Sequence, residues 1–221
     1  MMGASDAFWR FQALLPITFW QAFTWLGDSG LLIPAALLIA LALAVAPRTR
    51  PTAWLWCTVF GVGSVVILAS KLAFMGWGVG SRAFDFTGFS GHTAISASVW
   101  PVALWLLASR WGHRARVAVA IFGWLLAVGI GISRLAVDAH SVSEVVAGYL
   151  LGLTVSAVFL ALAHRRAHPD LRWPLVVVGL LTPLIFFPPG RPAPTQDLLE
   201  DIAVWMADTE RPYTREDMHR R

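Results

Sequence analysis

Apolar residues in this chain come in long unbroken runs. Six of them, at about residues 29–47, 53–73, 91–109, 115–133, 144–163 and 173–189, are separated by short polar stretches. A hydrocarbon core about 30 Å thick takes roughly 20 helical residues to cross. Runs of this length without period-2 alternation favour helices over strands. The pattern therefore predicts an all-α fold, a six-transmembrane-helix bundle. Pro34, Pro101 and Pro183 fall inside three of the runs, which membrane helices tolerate where neighbours re-satisfy the freed backbone groups.

The two ends read differently. Phe8, Phe11, Leu15, Phe19 and Phe23 recur at helical spacing, with Arg10, Gln12 and Gln21 between them. Residues 7–26 are thus expected to form an amphipathic helix lying in the interface, with a seventh crossing as the alternative. Residues 190–196 are a Pro-rich linker. Beyond it, Asp197 and Glu200 resemble a capping pair, and Leu198, Leu199, Ile202, Trp205 and Met206 make one apolar helical face. The last dozen residues are charged and expected to be mobile. The chain divides into an N-terminal interfacial helix (1–28), a membrane domain (29–189) and a linker with a polar tail (190–221).

Charge sharpens the picture. Charged residues are 14% of the 221 and apolar ones 57%, against about 25% charged in soluble domains. Arg48, Arg50, Arg110, Arg114, Arg116, Arg165, Arg166 and Arg172 occupy the first, third and fifth loops. The positive-inside rule makes that face cytoplasmic. Trp54, Trp56, Trp77, Trp111 and Trp173 stand near run ends, where indoles sit at headgroup level. The net charge of +4 accompanies no nucleic-acid-binding motif, so no nucleic-acid partner is expected. Cys57 is the sole cysteine, excluding an intrachain disulfide or a cysteine-based metal site. Met-Met-Gly-Ala-Ser-Asp at the start carries no basic n-region, so a cleaved signal peptide is not expected.

The second and fourth loops, on the opposite face, hold the chemistry. Ionisable groups at membrane depth or its edge are functional candidates by default. His140 and Glu144 are four apart at the start of the fifth run and share a face if the helix begins by His140. A carboxylate on one imidazole nitrogen fixes the tautomer and leaves the other as acceptor, the arrangement of an oriented nucleophile. An acid in a first helical turn also serves as a cap. Arg134 follows Ser133 at the end of the fourth run. Its planar fork matches phosphate oxygens, although snorkelling would place it there too. Ser90-Gly91-His92 opens the third run, where free helical amides make an anion site and His92 suits acid–base work. Lys71, the sole lysine, and Arg82 flank the second loop as further phosphate-binding cations. Asp85 and Asp138 read as loop-structuring acids or ion-pair partners.

These residues together resemble the type 2 phosphatidic acid phosphatase superfamily, which includes vanadium haloperoxidases and glucose-6-phosphatase. Its motifs are Lys-x6-Arg-Pro, Pro-Ser-Gly-His and Ser-Arg-x5-His-x3-Asp. Here they look like Lys71 to Arg82, Phe89-Ser90-Gly91-His92, and Ser133-Arg134 through His140 to Glu144. The resemblance covers about residues 71–152. There are departures: ten residues separate Lys71 from Arg82, Ala83 replaces the proline, Gly78 stands where the usual arginine would be, Phe89 replaces a proline and Glu144 replaces aspartate.

The resemblance implies that His140 is the nucleophile, oriented by Glu144, and that His92 is the acid and then the base. It gives Lys71, Arg82, Ser90, Gly91 and Arg134 the phosphate oxygens, with no metal and no other cofactor. The expected activity is a membrane lipid phosphatase acting through a phosphohistidine. Its substrate would be phosphatidic acid, phosphatidylglycerol phosphate, a lipid A phosphate or an isoprenyl pyrophosphate such as undecaprenyl pyrophosphate. The expected setting is a bacterial inner membrane, with the site facing the periplasm or exterior. A phosphotransferase using the same intermediate is the alternative. A transporter fits less well, because transporter ion sites lie near the midplane.

Overall fold

The computed structural model describes residues 15–166 and 195–220. The expected sixth crossing (173–189), Arg172, Trp173, Pro183 and the first part of the expected interfacial helix lie outside them. Among the described residues the fold is all helical. Five stretches are long and apolar enough to cross a membrane: Ile17–Val45, Pro47–Trp77, Gly91–Arg110, His113–Ala136 and Val142–Ala163.

The first stretch is broken. Helix α1 (Ile17–Thr24) runs into a 3₁₀ turn at Trp25–Gly27, and Asp28 then caps α2 (Ser29–Val45) by accepting from the Gly30 amide at 2.7 Å. Eight residues of α1 span only about 12 Å, too little to cross. A 3₁₀ turn at Pro47–Thr49 leads into α3 (Arg50–Trp77), followed by α4 (Gly91–Leu107), α5 (His113–Ala136) and α6 (Val142–Ala163). Pro34 and Pro101 sit within α2 and α4, as expected.

Helix α4 is the centre. In its apolar window 67% is buried, against 17–39% in the others. Its small residues explain this: Thr93, Ala94, Ser96, Ala97 and Ser98 are buried and let neighbouring backbones come close. A Cβ on Gly152 of α6 would fall 2.1 Å from the Ala94 carbonyl. A paired polar group ties α4 to its neighbours: Ser156 Oγ donates to Ala97 O at 2.7 Å and receives Trp124 Nε1 at 2.9 Å. Trp56 is not an interfacial anchor but a core residue, 1% exposed, with its indole donating to Ala36 O. Trp54, Trp77 and Trp111 are exposed at helix ends, as headgroup-level indoles would be. Leu37, Leu41, Val62, Val65, Phe122, Leu125 and Leu150 face outward, suiting a lipid surroundings.

The short connections bring Arg48, Arg50, Arg110, Arg114, Arg165 and Arg166 to one end of the bundle, where Arg166 donates to Pro51 O at 3.1 Å. The opposite end holds loops 78–90 and 137–141. Helix α7 (Thr195–Ala207) packs there against the last turns of α3, with Gln196 near Lys71 and Met75. The polar tail, expected to be mobile, folds back instead. Tyr213 N donates to Met75 O at 2.7 Å, Met218 is buried beside Phe74, Met75 and Ala203, and α8 (Arg215–Arg220) ends the described chain.

Candidate active site

Helix α6 begins at Val142, after His140. Ser141 is its N-cap and forms a capping box with Glu144. The carboxylate reaches back over its own first turn, where Oε2 accepts from Ser141 N at 3.1 Å and meets His140 Nδ1 at 2.8 Å. Capping and orientation of the histidine are thus both performed by one side chain. Glu144 has no exposure, and a buried carboxylate needs its lone pairs filled. Oε1 accepts from the amide and hydroxyl of Thr87 in the loop before α4.

The same helix seats the second motif. Ser90 N donates to Glu144 O at 3.1 Å, and the Ser90 backbone rests directly on Gly148, where a Cβ would lie 2.7 Å from Ser90 O. Ser90 caps α4, so Gly91 and His92 stand at a helix start. The Ser90 hydroxyl is buried and paired with Thr93 Oγ1 at 3.0 Å. Within this motif Ser90 N is spent on Glu144 O and its hydroxyl is buried, so the Gly91 and His92 amides and the His92 ring are the groups presented at the helix start.

Arg134 ends α5. One Nη donates to Thr24 Oγ1 at 3.1 Å, while its buried Nε has no hydrogen-bond partner among the described residues. Lys71 lies beside the start of α4: its Cε is 4.0 Å from where a Gly91 Cβ would be, and Nζ donates to Gln196 at 3.4 Å. His140 senses the charges of Lys71 and Arg134, and His92 those of Arg134 and His140. Lys71, Ser90, Gly91, His92, Arg134, His140 and Glu144 therefore gather at one end of the bundle. Arg82 does not join them. It is exposed on the Arg82–Phe84 turn, and none of its contacts among the described residues ties it to this cluster.

Burial depresses the His140 pKa most, and Lys71 and Arg134 add to that against the pull of Glu144; the net direction is below its ordinary 6.5. The imidazole is accordingly neutral at pH 7, as a nucleophile must be. With Nδ1 engaged by the carboxylate, Nε2 is the nitrogen left to react.

The sequence that carries this site has counterparts among known proteins. A family model described as the PAP2 superfamily matches residues 68–168. A Klebsiella pneumoniae protein named "Uncharacterized 22.5 kDa protein in cps region" is 45% identical over 204 residues, covering 91% of this chain and 98% of its own length. The chain belongs to the PAP2 superfamily. No solved structure matches it. PAP2 proteins are generally phosphatases acting on phosphate esters, and five apolar helices fit a membrane-associated member.

Three residues around the PAP2 site escaped the sequence reading. Thr87 is a plain loop residue with no signal. Asp28 lies 3.6 Å from His92 Nε2 through Oδ2 and is 6% exposed. Its signal was present, an acid between two apolar stretches. Arg215 donates through Nη2 to both Glu144 oxygens, at 2.9 and 2.8 Å, from 71 residues away.

Proposed function

We propose that this PAP2 protein is an integral membrane lipid phosphatase that forms a phosphohistidine at His140. The observation that carries the reading is the 2.8 Å bond between His140 Nδ1 and the fully buried Glu144 carboxylate, beside Lys71 and Arg134. His140 Nε2 attacks phosphorus and the bond to the leaving oxygen breaks, with His92 giving that oxygen its proton. The positive charge on the phosphorylated ring is stabilised by Glu144. His92, now neutral, takes a proton from water, whose oxygen attacks phosphorus; the P–N bond breaks and phosphate leaves. Lys71, Arg134 and the first amides of α4 hold the equatorial oxygens, the preorganised electrostatics on which phosphoryl transfer depends. Arg82 has no part in these steps.

A lipid substrate is supported by the site's place at one end of an apolar bundle. A sixth crossing is supported by where the described chain stops and resumes. Arg166 bonds Pro51, whereas Gln196 meets Lys71, 20 residues further along the continuous helix α3. That is about 30 Å of helix, the thickness of a bilayer core. The site end, opposite the arginine-rich loops, then faces away from the cytoplasm, at the periplasm or exterior of a bacterial inner membrane.

The test is release of inorganic phosphate by purified protein from a panel of phosphatidic acid, phosphatidylglycerol phosphate and isoprenyl pyrophosphate. Radiolabelled phosphate should be trapped on the chain by acid-quench-free, alkaline denaturation. His140→Ala should abolish both signals in a protein that still folds. Wild-type turnover in His140→Ala would refute the mechanism. Labelled phosphate passing to a second lipid instead of water would replace hydrolysis with phosphotransfer.

A further inference from the structure

The C-terminal segment does more than cover the bundle end. Its Arg215 places Nη2 on both oxygens of Glu144 and Nη1 on Asp85. The contact is well supported. Arg211 and Thr214 grip Asp217, His219 bonds Asp85 at 2.9 Å, and Met218 is buried. The Tyr213 ring lies against the left-handed Gly78 cap that ends α3, where a Cβ would be 3.0 Å away.

We propose that Arg215 is a positioning residue for catalysis, its guanidinium fixing the buried Glu144 carboxylate against His140 Nδ1. A carboxylate with no solvent contact is stable as an anion only with strong compensating partners. The neutral donors Thr87 and Ser141 supply dipoles, and Arg215 supplies a full charge through one nitrogen, Nη2, that straddles both carboxylate oxygens, a charge-assisted contact stronger than a neutral one. Arg215 and His140 meet the same oxygen, Oε2, each at 2.8 Å. The two nitrogens are therefore within about 6 Å, a range over which a charge changes a neighbour's proton affinity. The other groups facing the pair are Lys71 from α3, Arg134 from α5 and His92 from α4, while Asp85 and His219 face Arg215 itself. With both guanidinium ends committed to carboxylates, Arg215 acts through Glu144 and does not take up the phosphate.

The experiment compares wild type, Arg215→Ala and Arg215→Lys as the full chain in detergent, by two readouts. The kinetic readout, which rests on the phosphatase reading, is phosphate release from short-chain phosphatidic acid or an isoprenyl pyrophosphate. Arg215→Ala should lower kcat roughly 10- to 100-fold, by analogy with the loss when an outer partner behind a metal-ligating histidine is removed, with KM little changed. Arg215→Lys should recover part of it, and added guanidinium should rescue Arg215→Ala. The second readout needs no turnover: the His140 ring titration followed by NMR, assigned by its absence in His140→Ala. Loss of the nearby positive charge should raise the midpoint by about one pH unit. An unchanged midpoint, or a kcat in Arg215→Ala equal to or above wild type, overturns the proposal; in the latter case the tail is an inhibitory cover. A shifted midpoint in a protein that releases phosphate from no lipid of the panel above would leave the hold of Arg215 on Glu144 and His140 standing and defeat the phosphatase reading.

Discussion

Gly148→Ala tests whether the two motifs must be in backbone contact. Gly148 lies one turn beyond Glu144, on the face of α6 that carries Ser90. The added methyl would be 2.7 Å from Ser90 O and 3.2 Å from Ser90 N, where ordinary contact begins at 3.4 Å. The obstacle is backbone held by the Ser90 N–Glu144 O bond, so no rotamer change relieves it. Ser90, and His92 with it, must move by about 0.7 Å or α6 must retreat. Overpacking of this kind costs about 1–3 kcal/mol, offset by up to about 1 kcal/mol from better helix propensity. Displacement of an acid by close to 1 Å costs up to about 100-fold in rate. We expect kcat per folded protein to drop roughly 10- to 100-fold and the melting temperature to fall slightly. Gly61→Ala is the control: a Cβ there meets nothing within 4 Å, so it should leave kcat unchanged and stabilise α3 by about 0.5–1 kcal/mol. Phosphate release with a thermal melt of both variants decides it. Wild-type kcat in Gly148→Ala would refute the idea that the seating of Ser90 on α6 sets the position of His92.

Two other outcomes follow from the same geometry. Glu144→Gln keeps the shape but cannot stabilise the charge developing on His140, so kcat should fall about 100-fold or more with a smaller change in KM; an unchanged kcat with weaker binding would make Glu144 a cap only. For pH, attack needs neutral His140, whose pKa lies below 6.5, so kcat/KM should rise with pH along a limb centred below 6.5, and because His92 must carry the proton it donates, the profile should turn over into a falling limb, a bell. Because folding depresses this pKa, the linked stability is present above the unfolded value of about 6.5 and is lost as pH falls through the folded one; a rising limb centred above pH 7 contradicts the reading.

Five of the helices were legible because apolar runs of twenty residues leave little choice of structure, and Pro34 and Pro101 did not mislead. The tertiary role of single side chains was less legible. Trp56 sits near a run end like Trp54, yet one is core and the other exposed, a difference of helix face that low amphipathicity hides. The expected mobile tail is docked because its few apolar residues, Tyr213 and Met218, find Phe74 and Met75. Residue spacing within a charged segment does not advertise such a partner. Arg82 looked like the second basic residue of the first motif, but it lies on an exposed turn beyond the Gly78 cap. Arg215 is instead the cation that reaches Glu144, and a pairing across 71 residues leaves no local pattern.

Glutamate at position 144, a departure from the motif's aspartate, has a physical reason here. A first-turn acid can serve as a cap or as a partner for the histidine, and the sequence left both open. In the structure Oε2 does both, accepting from Ser141 N and meeting His140 Nδ1, because His140 precedes the cap instead of lying within the helix. Reaching back over the N-cap while Oε1 extends to Thr87 N at 2.8 Å takes the full glutamate arm. A side chain one methylene shorter would withdraw the carboxylate by about 1.5 Å, enough to break one bond of the set. Glutamate three residues after a serine cap is also the favoured capping-box residue. The local rule that starts α6 and the chemistry that orients His140 therefore select the same side chain, so the nucleophile's geometry is built as the helix forms.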